Sequence, residues 1–446
     1  MMNLRAFYLR NKFWYSDRRV GSPIGKQYKE IQYIAEHSYE EGLPLREKAL
    51  QDLLYYAQVH TRFYSKYSSM NLGDYPVMNK MALVANSDFI SVDPCSIPGQ
   101  EGEVFIQKTS GSTGIPLAMP QDTLKRKRRI AEIKYYGKQL GYNSHEKLIH
   151  LRTWNKWQTK NGRQIKDENI IPFDIKRLGD PELEILCHLI EREKPVSMRG
   201  YASTFGRIAA VAERLQIIPP KELKIIVSTS ESLEDDVRAA VKRVFKCDIA
   251  SQYSSEECGI MAQERVPTQS SDNKMYFNWA SYFFEFLKLD CDEPAEYGEI
   301  SRIVLTDLHN YAFPLIRYDT GDTCVIIPPD EYSNGYPVME KLYGRRFDLT
   351  FTTDGTPIYP LAYGRILKNY PCVEQWQFVQ SDKKHYHLRL VLRENDENAL
   401  NLNDMKNNIH SILGEDALIE INIVDDIPVL TSGKRKPVIN EWKNKL

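Results

Sequence analysis

The chain has 446 residues, with 59 Lys and Arg against 60 Asp and Glu, a formal net charge of -1. That balance excludes a nucleic-acid binder working through a whole-chain basic field, and at roughly 150 residues per domain the length asks for two or three domains. Apolar residues make up 42% and charged residues 27%, the mixture of a globular protein able to bury a full core in each domain.

No stretch approaches the roughly 18 consecutive apolar residues of a membrane span. The opening MMNLRAFYLRNKFWYSDRR is aromatic and basic, without the apolar run and small-residue cleavage site of a secretory leader. Cys95, Cys187, Cys247, Cys258, Cys291, Cys324 and Cys372 are odd in number and never form CxxC. Reduced thiols and a cytoplasmic location are the expectation.

Up to about residue 45 the chain is rich in Tyr and charge and carries few signals. Over 45–67, Leu50, Leu53, Leu54 and Ala57 recur at helical spacing. Residues 75–86 read as a turn and short helix, with Tyr75-Pro76 biased toward extended backbone. From about Glu103 short apolar runs alternate with helical patterns, beginning with a strand at Val104-Phe105-Ile106. The basic run Lys125 to Arg129 leads into Ile130, Ile133, Tyr136 and Leu140, which reads as a helix with a solvated cationic face. A strand at 148–151, helices at 181–192 and 201–215, a strand at 223–227 and a helix at 234–245 follow. Further strands are expected at 285–287, 300–305 and 324–327. Strands alternating with helices predict an α/β fold with mixed, largely parallel sheets. Beyond Gly344-Arg345-Arg346 the pattern becomes strands at 375–379 and 387–391, a helix at 403–413 and a strand at 418–424. The division is therefore a large N-terminal α/β domain over 1–344 and a small C-terminal α+β domain over 345–446, with the boundary near 345–353.

The strongest chemical signal is Lys108-Thr109-Ser110-Gly111-Ser112-Thr113-Gly114-Ile115-Pro116, four hydroxyl side chains and two glycines directly after a strand. Glycine lets backbone approach a polyphosphate, and N–H groups with hydroxyls donate to its oxygens. It is not a Walker loop, since GxxxxGK[ST] is absent. Four more segments follow in order: Gln252-Tyr253-Ser254-Ser255-Glu256-Glu257-Cys258-Gly259, Ile316-Arg317-Tyr318-Asp319-Thr320-Gly321-Asp322, Tyr343-Gly344-Arg345-Arg346-Phe347-Asp348 and Thr431-Ser432-Gly433-Lys434.

This series, running from about Glu103 to Lys436, resembles the adenylate-forming superfamily of acyl-CoA synthetases and adenylation domains. The loop without a lysine after its proline is similar to the phenylacetate-CoA ligase and capsule-biosynthesis (CapK)-like branch. The resemblance implies an acyl-adenylate-forming ligase that joins a carboxylic acid to ATP and releases pyrophosphate. It implies that Thr109, Ser110, Gly111, Ser112, Thr113 and Gly114 hold the β- and γ-phosphates, and that Glu257 binds Mg²⁺, a hard cation suited to oxygen ligands. Tyr253 would lie against adenine, with Ser230 and Glu231 in an adenine-binding loop; an ordinary strand-to-helix turn capped by Ser232 is the other reading of that segment. Asp322 would accept from the ribose hydroxyls, Arg345 would make a second ribose and phosphate contact, and Lys434 would meet both the carboxylate and the α-phosphate. A mobile small domain carrying that lysine, and acyl transfer to CoA, an acyl carrier protein or an amine, complete the implied cycle. A homodimer is an open assembly.

Two departures stand out. Glu256 replaces a common Thr or Ser beside Glu257, where adjacent carboxylates repel without a cation between them, and Ser254 replaces a common glycine. They keep open a non-catalytic nucleotide-binding scaffold, and nucleotidyl transfer to a macromolecule is a third reading. No structural zinc is expected, because Gln263-Glu264-Arg265 lacks the cysteine that some relatives carry. Cys258 beside two glutamates would be a poor thiolate. His150, Trp154 and Trp157 read as core rather than as pocket.

Overall fold

The structure, a computed structural model, describes residues 4–108, 117–154, 160–176, 178–266, 273–345, 349–358, 360–393, 400–427 and 437–442. They form two compact units: the larger holds the chain up to 341 apart from 321–324, and the smaller holds 321–324 and the chain from 342.

The stretch with few sequence signals folds as helices α1 (Leu4–Arg19) and α2 (Pro23–Glu36) and the start of α3 (Tyr39–His60). The apolar stripe of α1 is thin, with only Ala6, Leu9 and Asp17 buried. Its packing runs instead through aromatic edges, Phe13 on Trp14, Trp14 on Tyr28 and Tyr28 on Tyr135, at centroid distances of 5.1, 5.6 and 5.9 Å. Helix α3 starts in a capping box between Ser38 and Glu41, and stops at His60 rather than running to 67. Two short helices, α4 (Lys80–Ala85) and α5 (Ser87–Ile90), lead to the antiparallel hairpin β1 (Phe105–Lys108) and β2 (Ala118–Gln121).

The basic run lies on α6 (Thr123–Gln139), and the solvated-face reading fails there. Lys125 and Arg128 have fully buried side chains. Lys125 Nζ sits 2.6 Å from Asp307 Oδ2, while Arg128 pairs with Glu30 at 2.8 Å and donates to Ala280 O and Ser281 Oγ. Their partners lie far along the chain, where local periodicity has no access to them. A buried charge is tolerable when it is paired and hydrogen-bonded in this way.

An α/β succession follows: β3 (Leu148–Arg152), α7 (Gly162–Glu168), β4 (Ile170–Asp174), α8 (Asp180–Glu193), β5 (Ser197–Gly200), α9 (Ala202–Arg214), β6 (Ile225–Thr229), α10 (Asp235–Phe245) and β7 (Asp248–Ser255). Then come β8 (Gly259–Glu264), β9 (Met275–Phe277), β10 (Tyr282–Leu287), β11 (Ile300–Asp307), β12 (Tyr318–Ile327) and β13 (Val338–Arg345). The strand order is β10-β11-β12-β13-β9-β8-β7-β6-β5-β3-β4. The sheet is parallel from β4 through β3, β5 and β6 to β7, and turns antiparallel at β7–β8 and β8–β9.

Strand alternation sorts the parallel part. Ile149, Leu151, Met198, Ile226 and Ile249 point to one face, where they bury against Leu186, Ile190, Phe205, Ile208, Val241 and Phe245 of the α8–α10 layer. The opposite face carries Ile225, Val227 and Ala250 packed with Leu140. Register places His150 beside Arg199 and Arg199 beside Val227 on that same face. Gly200 is the last residue of β5, and a Cβ there would stand 2.9 Å from Leu151 Cβ, so only glycine lets the strands meet at this level.

In the smaller unit, β14 (Thr350–Phe351) pairs with β15 (Pro357–Ile358), and α11 (Pro360–Leu367) precedes a four-stranded sheet. That sheet is formed by β16 (Val373–Gln380), β17 (His385–Leu392), β18 (Leu418–Ile423) and β19 (Val438–Asn440), in the order β18-β17-β16-β19. With α12 (Leu402–Leu413) it encloses a core of Tyr363, Phe378, Tyr386, Leu388, Met405 and Ile409. The fold is thus α/β with a large mixed sheet and a separate, smaller C-terminal sheet unit.

Candidate active site

The turn between β7 and β8 is the best-fixed part of the site. Register shifts between Tyr253 and Ser254, and Gly259 closes the turn at φ 113. A Cβ at Gly259 would come within 3.1 Å of Glu132 Oε2, so close packing requires glycine there as well as the backbone angle. Arg129 Nη1 donates to Glu256 O at 2.8 Å, Gln121 Nε2 to Glu257 O at 3.0 Å and Tyr282 OH to Cys258 O at 2.6 Å. Two of these anchors, Gln121 and Arg129, lie on β2 and α6, the elements that follow the hydroxyl-rich stretch. Burial, followed by the Glu257 charge, holds the Cys258 thiol well above its ordinary pKa, so it is inert.

The adjacent carboxylates are kept on separate partners. Glu256 Oε1 faces Arg152 Nη2 at 3.2 Å and its Oε2 accepts from Gln107 Nε2 at 2.8 Å. Glu257 Oε1 accepts from the Tyr318 hydroxyl at 3.1 Å, and no cationic side chain pairs with Glu257 among the described residues. Among the described residues the chain itself thus supplies a cation to Glu256 and none to Glu257. Among the described residues no group of three or more His, Cys, Asp or Glu is arranged to hold a metal. One carboxylate oxygen beside a substrate's own phosphates is the donor set that suits Mg²⁺, which keeps waters and uses few protein ligands.

Tyr253 is buried on β7, and its hydroxyl donates to Thr320 Oγ1 at 3.4 Å; Thr320 in turn donates to Ile303 O. Asp319, which precedes Thr320 on β12, is a structural partner of Arg302 at 2.9 Å. Ser230 takes the left-handed conformation at φ 69. Glu231 accepts from Ser203 N at 3.0 Å, at the start of α9. Helix α10 begins after Glu234, so Ser232 does not cap it. Asp322 lies on β12 within the smaller unit, where Thr323 Oγ1 bonds Gly344 O at 3.1 Å, and Arg345 ends β13. Thr109, Ser110, Gly111, Ser112, Thr113, Gly114, Trp157 and Lys434 lie outside the described residues.

The sheet face toward this turn carries two cations, Arg152 and Arg199, that stand in none of the motif segments. Along β3, β5 and β7 it carries His150, Arg152, Arg199 and Gln252. His150 and Trp154 are half-buried, not core: their rings meet edge-on at 5.3 Å and Trp154 Nε1 donates to Phe173 O. Burial, then the charges of Arg199 and Arg152, hold His150 well below its ordinary pKa, so it is neutral at pH 7. The available signal was a charge in the apolar alternation of a doubly covered parallel sheet, but Ser197-Met198-Arg199-Gly200 is too short to read as a strand.

A cavity of ≈ 550 Å³ opens elsewhere on the larger unit, lined among others by Tyr67, Tyr75, Glu285 and Arg317. Its cation is already committed, Arg317 being paired with Glu285 at 2.9 Å and bonded to Gly73 O and Tyr75 O.

Residues 350–441 match the CapK C-terminal domain. Across nearly the whole chain the sequence is 21% identical to Protein CapK of Staphylococcus aureus, covering 94% of this chain and 95% of that one. A 2-hydroxyisobutyryl-CoA ligase, solved in the postadenylation state with R3-HIB-AMP, superposes with a TM-score of 0.70 at 17% identity over 91% of each chain. O-succinylbenzoate CoA synthetase from Bacillus subtilis, solved with AMP, does so with a TM-score of 0.55 at 16% identity, over 74% of this chain and 67% of that one.

Proposed function

For a chain with the fold of the adenylate-forming CoA ligases, we propose that the reaction is ATP-dependent activation of a carboxylic acid. One carboxylate oxygen attacks the α-phosphorus of ATP, the bond from that phosphorus to its β-bridging oxygen breaks, and pyrophosphate leaves an acyl-adenylate. A thiol then takes the acyl group and AMP departs. CoA is the acceptor in this proposal; a carrier-protein thiol or an amine would be equivalent up to the intermediate.

Two anions must be brought together, so the site's work is alignment and charge stabilisation. In this reading Thr109, Ser110, Gly111, Ser112, Thr113 and Gly114 donate to the β- and γ-phosphates, and Tyr253, Ser230 and Glu231 flank adenine. Asp322 and Arg345 hold the ribose, and Lys434 draws the attacking carboxylate and the α-phosphate together. Glu257 would hold Mg²⁺, which neutralises phosphate charge when bound. The small domain over 345–446 would turn after adenylation to admit the thiol.

One observation carries the reading: Glu256 is bound by Arg152 and Gln107, while the Glu257 carboxylate, one residue on, meets a phenol and no cation among the described residues. Neutralising one carboxylate while its neighbour meets no cation among the described residues supports the catalytic reading over the non-catalytic scaffold that Glu256 kept open. Carboxylate-dependent ATP–pyrophosphate exchange tests it. Lys434→Ala should slow exchange by at least ~10²-fold, the scale for losing one preorganised charge-stabilising contact, and wild-type exchange in that variant would remove the lysine from the mechanism.

A further inference from the structure

We propose that the acid taken by this site carries a second anionic group, an oxyanion at the end remote from the reacting carboxylate, and that Arg199 receives it. The inference rests on the acid-activation reading above and names its substrate class.

Arg199 lies near the C-terminal end of β5, on the sheet face opposite the α8–α10 layer. Its one hydrogen bond among the described residues runs from Nη2 to Gln252 Oε1 at 2.6 Å, a neutral amide. No carboxylate among the described residues pairs with it, and the acid of this face, Glu256, is occupied by Arg152 and Gln107. The group is nevertheless far from bulk water: burial is the main cause that pushes its pKa down to about 10, and Arg152 adds to it. It is still partly exposed, as is its register neighbour His150. The guanidinium is set deep in the fold and keeps some exposure, so a ligand on this sheet face can reach it. A guanidinium so placed, with a planar fork of donors and one neutral partner, is the geometry for a bidentate oxyanion.

Its surroundings are fixed in advance. Gln263 Nε2 donates to Tyr136 O at 3.1 Å, and Gln252 Nε2 donates to Gln263 Oε1 at 2.5 Å. Gln252 Oε1 is thereby turned toward Arg199, making Gln252 and Gln263 positioning residues. His150 accepts or donates no hydrogen bond among the described residues, and as a neutral imidazole it has one N–H to offer the same ligand. Gln252 stands five residues before Glu257 in the same strand and turn, and Arg152, which holds Glu256, lies two residues beyond His150 on β3, so Arg199 and the Glu256-Glu257 turn share one sheet face.

The test is a matched exchange screen with the full-length protein. Dicarboxylates of four to six carbons, with ω-sulfo and ω-phosphono acids of the same lengths, are set against monocarboxylates of equal length. The dianionic acids should sustain exchange at least ~30-fold better, the low end for truncating one partner of a desolvated, hydrogen-bonded charge pair. Arg199→Met should abolish that preference while exchange with monocarboxylates continues, and Arg199→Lys should keep part of it. A wild-type preference for monocarboxylates, or a loss in Arg199→Met that is the same for both sets, overturns the proposal and leaves acid activation standing. If no acid at all sustains exchange, the acid-activation reading fails. Calorimetric titration of wild-type protein with glutarate and with valerate then decides on the anion site alone: glutarate binding that valerate does not share supports it, and equal or absent binding refutes it.

Discussion

Replacing Lys125 by Met removes a cation whose side chain and whose partner's are both wholly buried, Nζ and Asp307 Oδ2 lying 2.6 Å apart. The same ammonium donates to Tyr282 OH at 3.2 Å. It is also the largest influence opposing the burial that raises the pKa of Glu132. The substitution therefore leaves buried Asp307 without its cation and Glu132 without its largest compensating charge, while Asn278 Nδ2 at 3.2 Å stays on Glu132 and His309 N at 3.1 Å on Asp307. Breaking a buried pair from one side costs about 3–5 kcal/mol. Lys127→Ala is the internal control: its partner Glu101 is 72% exposed, and exposed pairs contribute about 0–1 kcal/mol. Urea denaturation followed by tryptophan fluorescence reads both, because Trp279 stacks on Tyr336 in the larger unit at 5.3 Å. Lys125→Met/Asp307→Leu, which removes both charges, should recover part of the loss. Equal, small losses in Lys125→Met and Lys127→Ala would refute the account of this helix as a buried ion network.

Glu257→Gln should reduce exchange by at least ~10²-fold and raise the Mg²⁺ concentration needed for half-maximal rate. Glu256→Gln should lower it far less and leave the Mg²⁺ requirement unchanged; matching Mg²⁺ profiles in the two variants would contradict their separate roles. Stability should also depend on His145, whose pKa burial and then Lys134 push down to about 4, against 6.5 in the unfolded chain. Between those values the unfolded state binds the extra proton, so stability is full above pH 6.5 and is lost as pH falls toward 4. His145→Gln should flatten urea midpoints across that window relative to wild type, and parallel profiles would refute the assignment.

Periodicity located the α/β succession well where packing is local. The patterns at 181–192, 201–215 and 234–245 are α8, α9 and α10, each with an apolar stripe on one side of a parallel sheet. It failed at α1, which buries few residues and packs through ring edges, and at Lys125 and Arg128, whose neutralising partners lie on other elements. Glu257 was legible because its motif is contiguous. The opposite treatment of Glu256 was not, since it depends on Arg152 arriving from β3 and Gln107 from β1. Arg199 was invisible for the same reason: four residues carry no period, and its meaning comes from the strands on either side.

The most direct test of acid activation follows one oxygen atom. With an acid that sustains exchange, labelled with ¹⁸O in its carboxylate and incubated with ATP and hydroxylamine as acceptor, each AMP released should carry one ¹⁸O on phosphorus, with the hydroxamate as co-product. Unlabelled AMP, or label appearing in inorganic phosphate, would mean that the carboxylate never attacked the α-phosphorus.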